Sequence, residues 1–161
     1  LMDGDHSLDR CGDVTLATLR AVYAQLARHR VDLAATLLKP NMVVPGKDCP
    51  DQVDATAVAE ATVAVLRQAV PAAVPGIVFL SGGMTDEEAT ARLDALNRTG
   101  PQPWQLSFSY GRALQGPVLR AWRGEEANRE AAQRALLHRA RLNSAARHGE
   151  YTPDMEAAVP A

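Results

Sequence analysis

Apolar residues recur every three or four positions between residues 14 and 29. Leu16, Leu19, Tyr23 and Leu26 form one stripe, with Arg20, Gln25 and Arg28 on the other side. That spacing predicts an amphipathic helix whose stripe packs on a core. Residues 1–13 before it are polar and irregular. An apolar run from Val31 to Leu38 follows and stops at Lys39-Pro40. It predicts a strand over 31–39, with Ala35, Leu37 and Lys39 on one face and Ala34, Thr36 and Leu38 on the other. Both faces are largely apolar, as in a parallel strand covered on both sides.

The pattern then repeats. After a Pro/Gly loop over 43–53, Asp54 is a candidate cap for a helix over 55–70 with the stripe Val58, Thr62, Val65 and Ala69. Pro71 and Pro75 end it. A short apolar strand, Gly76 to Leu80, runs into Ser81-Gly82-Gly83. Thr85 and Glu88 form a capping box that opens a helix from Asp86 to about Arg98, carrying Ala89, Leu93 and Leu96. Gly100, Pro101 and Pro103 close it. A third strand over 104–110 alternates Gln105, Ser107 and Ser109 with Leu106, Phe108 and Tyr110. Its row of small polar side chains fits a wet, ligand-holding interior and a half-exposed strand equally well. Leu114, Val118 and Trp122 then predict a short helix, kinked or broken at Gly116-Pro117. A charge-laced helix over 125–147 follows, with Gly149 as its stop. Arg134, His138, Arg139, Arg141 and Arg147 read as a solvated face and not an RNA site, because no aromatic residues interleave. Residues 1–150 read as one domain, and 151–161 as a flexible tail.

Strands alternating with helices predict an α/β fold with about three parallel strands, right-handed connections and helices outside. The 161 residues, 47% hydrophobic and 22% charged, suit one soluble globular domain. A net charge of −2 gives no general pull towards nucleic acid or an anionic membrane. No run is long enough to span a bilayer, and no signal peptide is visible. Cys11 and Cys49 stand far apart, in no metal spacing, and read as reduced cytosolic thiols, with an adventitious disulfide as the alternative. The Asp3, Asp5, His6 and Asp9 cluster reads as a turn and helix cap, not a metal site.

Candidate chemistry gathers at the three predicted strand ends. The chain has two lysines, Lys39 and Lys47, against fifteen arginines. A lysine that ends an apolar strand either snorkels into water or is kept as a nucleophile, since burial disfavours the ammonium and a free amine attacks carbonyls. Ser81-Gly82-Gly83 and Gly111-Arg112 both look built for phosphate. Glycines let backbone amides approach an anion, and an arginine fork suits its oxygens.

Taken in order, TLLKPNM, FLSGGMTDEEA and FSYGRALQ, with the opening DGDH and the closing GEYTP, resemble class I (Schiff-base) fructose-bisphosphate aldolase from Asp3 to about Pro153. That family is a (β/α)8 barrel, and the resemblance covers its C-terminal half only. It implies Lys39 as the imine-forming catalytic residue. It implies Ser81, Gly82, Gly83, Gly111 and Arg112 as the phosphate site, with Ser109 as an interior contact. It implies no metal and no cofactor, a sugar-phosphate substrate, a cytoplasmic glycolytic setting, dependence on the N-terminal half barrel, and room for a homo-oligomer. The Ser-Gly-Gly and Gly-Arg strands would be the seventh and eighth of the barrel, where phosphate often binds.

The departures set the alternative. In the family, the acid/base carboxylates and a further lysine come from earlier strands, so this chain alone is expected to turn over poorly. Ala34-Ala35 replaces a Glu-Gly pair typical of animal members, Pro117 enters a usually helical stretch, and the chain ends Val159-Pro160-Ala161 where the family commonly has a tyrosine. A non-catalytic sugar-phosphate-binding or assembly fragment is the second reading. A transaldolase-like lysine enzyme fits SGGMTDEEA and SYGRALQ poorly.

Overall fold

A computed structural model describes residues 2–157. Three parallel strands form one sheet in the order β1 (Leu37–Leu38), β2 (Gly76–Phe79) and β3 (Gln105–Phe108). Leu37 pairs with Gly76 and Gly76 with Gln105, and the register runs on to Phe79 beside Phe108. The helices are α1 (Leu8–Arg28), α2 (Ala55–Ala69), α3 (Asp86–Arg98), α4 (Arg112–Trp122) and α5 (Arg129–Arg147). The α/β class and parallel sheet predicted from the sequence are present, with helices packed outside the strands.

The sheet has two unlike faces. Ile77, Phe79 and Leu106 are buried under the helices, and Leu38 and Phe108 pack against the same core. Gly76, Val78 and Ser107 lie on the opposite face with Gln105 and Leu37, and Leu37 is 63% exposed. The core continues between helices, where α2 packs on α1 and α3, and α5 packs on α3 and α4. Val58, Thr62 and Val65 of α2 and Ala89, Leu93 and Leu96 of α3 are buried, as their stripes predict.

Several boundaries differ from expectation. Helix α1 starts at Leu8, six residues earlier, because the Ser7 side chain accepts from the Arg10 N–H and caps it. The strand predicted over 31–39 shrinks to two residues. The Asp32 carboxylate accepts from the Ala34 N–H, and residues Leu33–Ala35 coil into a 3-10 turn that the Thr36 hydroxyl ties to the Leu33 carbonyl. Local side-chain bonds of this kind compete with a ladder. Pro117 sits inside α4, which runs through it without a break. The long basic helix begins at Arg129 after a separate turn, Glu126–Asn128, and ends at Arg147, with the His148 cap followed by Gly149 at φ +71°. Residues from Tyr151, expected to be loose, are held down as far as Glu156: Tyr151 is buried, and Pro153–Glu156 form a 3-10 turn. Ala158 to Ala161 of that tail lie outside the described residues. No described helix is long and apolar enough to cross a membrane, and Cys11 and Cys49 are buried free thiols.

Candidate functional site

Parallel pairing brings the C-terminal ends of all three strands to one edge of the sheet. The ladder continues a step past each strand: the Leu80 N–H donates to the Pro40 carbonyl (3.1 Å) and the Ser109 N–H to the Phe79 carbonyl (2.9 Å). Lys39-Pro40, Leu80-Ser81 and Ser109-Tyr110 are therefore neighbours, in strands about 4.8 Å apart.

Lys39 is exposed, not buried as a strand-end nucleophile was expected to be. It lies two residues beyond Leu37, and alternation puts it on the open face with Val78 and Ser107. Among the described residues Lys39 has no ion-pair partner, whereas Lys47 pairs with Asp3 at 3.3 Å. Ser109 is half-buried, and Tyr110 beside it is buried, with its hydroxyl donating to the Ala89 carbonyl at 2.7 Å.

The two glycine turns converge. Ser81 is buried, and its hydroxyl oxygen accepts from the Ala113 N–H at 3.3 Å, joining the first turn to the second residue of α4. That leaves the hydroxyl proton free to donate. The Met84 N–H donates to the Ser81 carbonyl (3.2 Å), closing a turn in which Gly83 has φ +77°. Only glycine holds that conformation without strain, and Met2 packs so closely on Gly83 that a Cβ there would lie 2.8 Å from it. A Cβ on Gly82 would sit 3.5 Å from Arg112 Nη2, so the guanidinium lies over the first turn.

The helix N-termini differ in what they leave open. Helix α3 satisfies itself: the Thr85 hydroxyl accepts from the Glu88 N–H, Glu88 accepts from the Thr85 N–H, and Asp86, Glu87 and Glu88 fill the first turn with negative charge. Helix α4 has Gly111 at its cap, no side-chain cap bond and no acidic residue in its first turn. An anion at this edge is thus favoured at α4, beside Arg112 and the Ser81 hydroxyl, and disfavoured at α3. A separate hollow of about 160 Å³ between His6, Arg10, Cys11, Val14 and Thr15 shares no residue with the strand ends. Among the described residues no group of three His, Cys, Asp or Glu side chains is placed to hold a metal.

A family model described as glycolytic, fructose-bisphosphate aldolase class-I, matches residues 1–160. The chain belongs to this aldolase family. It is 53% identical over 154 residues to fructose-bisphosphate aldolase B of Sparus aurata, which covers 95% of this chain and 42% of that one. It is 51% identical over 152 residues to the fructose-bisphosphate aldolase of Dictyostelium discoideum, covering 94% and 43%. A solved aldolase structure from Plasmodium falciparum, in complex with TRAP and a small-molecule inhibitor, superposes with a TM-score of 0.92 at 47% identity, over 93% of this chain and 43% of that one. The chain thus spans less than half the length of the aldolases it matches, and its fold is that of an aldolase barrel over that share.

One group behind this edge was not singled out from the sequence. Arg139 of α5, read as part of a solvated face, is buried. Its Nη1 donates to Glu156 (2.5 Å), and its Nη2 to the Asp86 carbonyl (2.8 Å) and the Thr90 hydroxyl (2.5 Å). Glu156 also accepts from the Tyr151 hydroxyl at 2.9 Å. Burial first, and then the Glu156 bond and charge, hold the Tyr151 phenol protonated well above the ordinary tyrosine range. The clue was available: Ala132, Arg139, Leu142, Asn143 and Ala146 fall on one helical stripe, and all are buried.

Proposed function

We propose that this chain carries the imine-forming and phosphate-holding part of a class I fructose-bisphosphate aldolase, which reversibly cleaves fructose 1,6-bisphosphate into dihydroxyacetone phosphate and glyceraldehyde 3-phosphate. The observation that carries this reading is the convergence of Lys39, the Ser81–Gly83 turn and Gly111-Arg112 on one edge of the sheet, at the ends of three adjacent parallel strands. Catalytic groups of barrels sit at such ends. A cytoplasmic, glycolytic setting and the lack of a cofactor are part of the same reading.

In this mechanism neutral Lys39 attacks the C2 carbonyl, and water leaves to give a protonated imine. A base takes the proton of the C4 hydroxyl, and the C3–C4 bond breaks. Its electron pair forms the C2–C3 double bond of an enamine as the imine nitrogen accepts the π pair, and glyceraldehyde 3-phosphate departs. Protonation at C3 and hydrolysis by one water return dihydroxyacetone phosphate and the free amine. Arg112, the Ser81 hydroxyl and the amides at Gly82, Gly83 and Gly111 hold the phosphate next to the ketone, and Ser109 lines the interior. Anchoring that remote group positions C2 against Lys39 and contributes to rate as well as affinity. The acid and base come from the remaining strands of the barrel.

Leu37 is 63% exposed on the Lys39 face, which favours a chain that works joined to those strands. The alternative, a sugar-phosphate-binding fragment with no covalent chemistry, separates in one experiment. The folded chain is incubated with dihydroxyacetone phosphate, reduced with borohydride and mapped by mass spectrometry, with Lys39→Arg as control, because arginine keeps its proton and forms no imine. An adduct confined to Lys39 is expected. Absence of an adduct, or equal labelling of Lys47, sinks the imine role.

A further inference from the structure

We infer that Arg139, held by Glu156, is a positioning residue for the phosphate turn, so that docking of the C-terminal segment and binding of phosphate are coupled. The inference rests on the phosphate site proposed above.

Arg139 is 4% exposed. Arginine is almost never buried to that degree without partners. Its guanidinium joins two places far apart in the chain. One is the Pro153–Glu156 turn, through Glu156 at 2.5 Å. The other is the first turn of α3, through the Asp86 carbonyl at 2.8 Å and the Thr90 hydroxyl at 2.5 Å. Thr90 continues inward to the Asn143 side-chain oxygen at 2.8 Å. Asp86 begins α3 two residues after the Ser81–Gly83 turn, so a shift of its carbonyl is passed to the phosphate turn through Met84 and Thr85 alone. The Asp86 carboxylate is held on the other side by Arg120 of α4, at 2.9 Å. The start of α3 is therefore clamped between α4 and α5, and the α5 jaw is closed by a carboxylate from the C-terminal segment.

Stability alone does not account for this arrangement. A buried arginine–carboxylate pair is often no better than well-packed apolar residues of similar volume, because desolvation offsets the attraction. What the pair supplies is direction: a planar fork with fixed donors, aimed at one carbonyl and one hydroxyl. If Glu156 leaves, Arg139 is a buried charge without a counter-charge and must swing towards water, releasing Asp86 and Thr90. The segment and the turn then behave as one element with two arrangements. By linkage, phosphate that favours the clamped turn favours the docked segment by the same factor.

The test uses inorganic phosphate and dihydroxyacetone phosphate as probes on the 161-residue chain. Phosphate affinity is titrated for the unaltered chain, Glu156→Gln, Arg139→Lys and Arg112→Ala, and hydrogen exchange is followed with and without phosphate. We expect Glu156→Gln and Arg139→Lys to weaken phosphate binding about five- to tenfold, the lower range of allosteric coupling. Phosphate should slow exchange in 151–157 of the unaltered chain and no longer do so in Glu156→Gln. A merely structural role would lower the unfolding midpoint and leave the phosphate affinity of the folded variants unchanged, which overturns the inference. Binding that Arg112→Ala abolishes but Glu156→Gln leaves intact overturns it alone. No phosphate binding by the unaltered chain overturns the site reading and this inference together.

Discussion

Replacing Ser81 by alanine removes one oxygen from a side chain that is 3% exposed, and that oxygen has two tasks. Without ligand it accepts from the Ala113 N–H at 3.3 Å. Ala113 is 1% exposed, and α4 has no side-chain cap of its own, so the amide is left unpaired away from water. Losing a cap costs typically ~1 kcal/mol, and an unsatisfied buried donor about 1–3 kcal/mol. The bond is slightly longer than the usual N–H···O range, which places the expected loss near ~1–1.5 kcal/mol, at the lower end. For a chain of this size that lowers the unfolding midpoint by about 2–6 °C.

The second task appears only with phosphate, when the hydroxyl proton donates to the anion. A hydrogen bond to a charged group is worth about 1.5–3 kcal/mol, or roughly ten- to a hundredfold in affinity. Differential scanning calorimetry with and without phosphate separates the two tasks. At a phosphate concentration of about a hundred times Kd the unaltered chain gains ~2.7 kcal/mol. With binding tenfold weaker, the same concentration gives Ser81→Ala only ~1.4 kcal/mol. A variant destabilised without phosphate but given the full ligand shift would show Ser81 to be a helix cap and nothing more. A variant unchanged in both measurements would refute the geometry as well.

Gly83→Ala should cost about 1–3 kcal/mol, because φ is +77° and the new Cβ meets Met2; Gly111→Ala, which has open space and negative φ, is the tolerated control, and equal urea midpoints for the two would defeat this account. Tyr110→Phe should lose ~1 kcal/mol with the bond to the Ala89 carbonyl. Burial raises the Tyr110 pKa above its ordinary value of 10.0, so its protonated form stabilises the fold fully below about pH 10, and that contribution is lost as pH rises beyond it. Unfolding midpoints across the alkaline range should therefore fall less steeply for Tyr110→Phe than for the unaltered chain, and parallel curves would contradict the assignment.

How legible each feature was follows from how local its cause is. The Ser81–Gly83 turn, the Thr85 capping box and the Gly149 stop are each decided within a few residues, and all three are where the sequence puts them. The start of α1 was missed although Ser7 is also a local signal, because Gly4, Asp5 and Asp9 around it resemble loop chemistry. The first strand was overextended for the opposite reason. Residues 31–38 are apolar enough for a strand, but alanines at 34 and 35 hold a ladder weakly, and Asp32 offers their amides a nearer acceptor. Arg139 was hidden by composition: one inward arginine on a helix of outward ones is visible only by asking which stripe it interrupts, and its partner Glu156 lies 17 residues away.

The row Gln105, Ser107, Ser109 left two readings open, a wet interior and a half-exposed strand, and the sheet register bears on that choice. Those residues share a face with Leu37, Val78 and Lys39. Leu37 stands in the same register at 63% exposure, the most exposed of the large apolar side chains described, and burying such a side chain is worth about 1.5–3 kcal/mol. Apolar at β1 and polar at β3, the face suits an enclosed cavity with one greasy wall and one hydrogen-bonding wall better than a solvated surface. The same enclosure bears on the proposed chemistry. An amine attacks only when it has shed its proton, and burial is one of the usual causes. Lys39 is exposed. On this reading the strands that cover Leu37 also exclude water around Lys39, so the imine forms slowly on this chain alone and faster in the joined barrel.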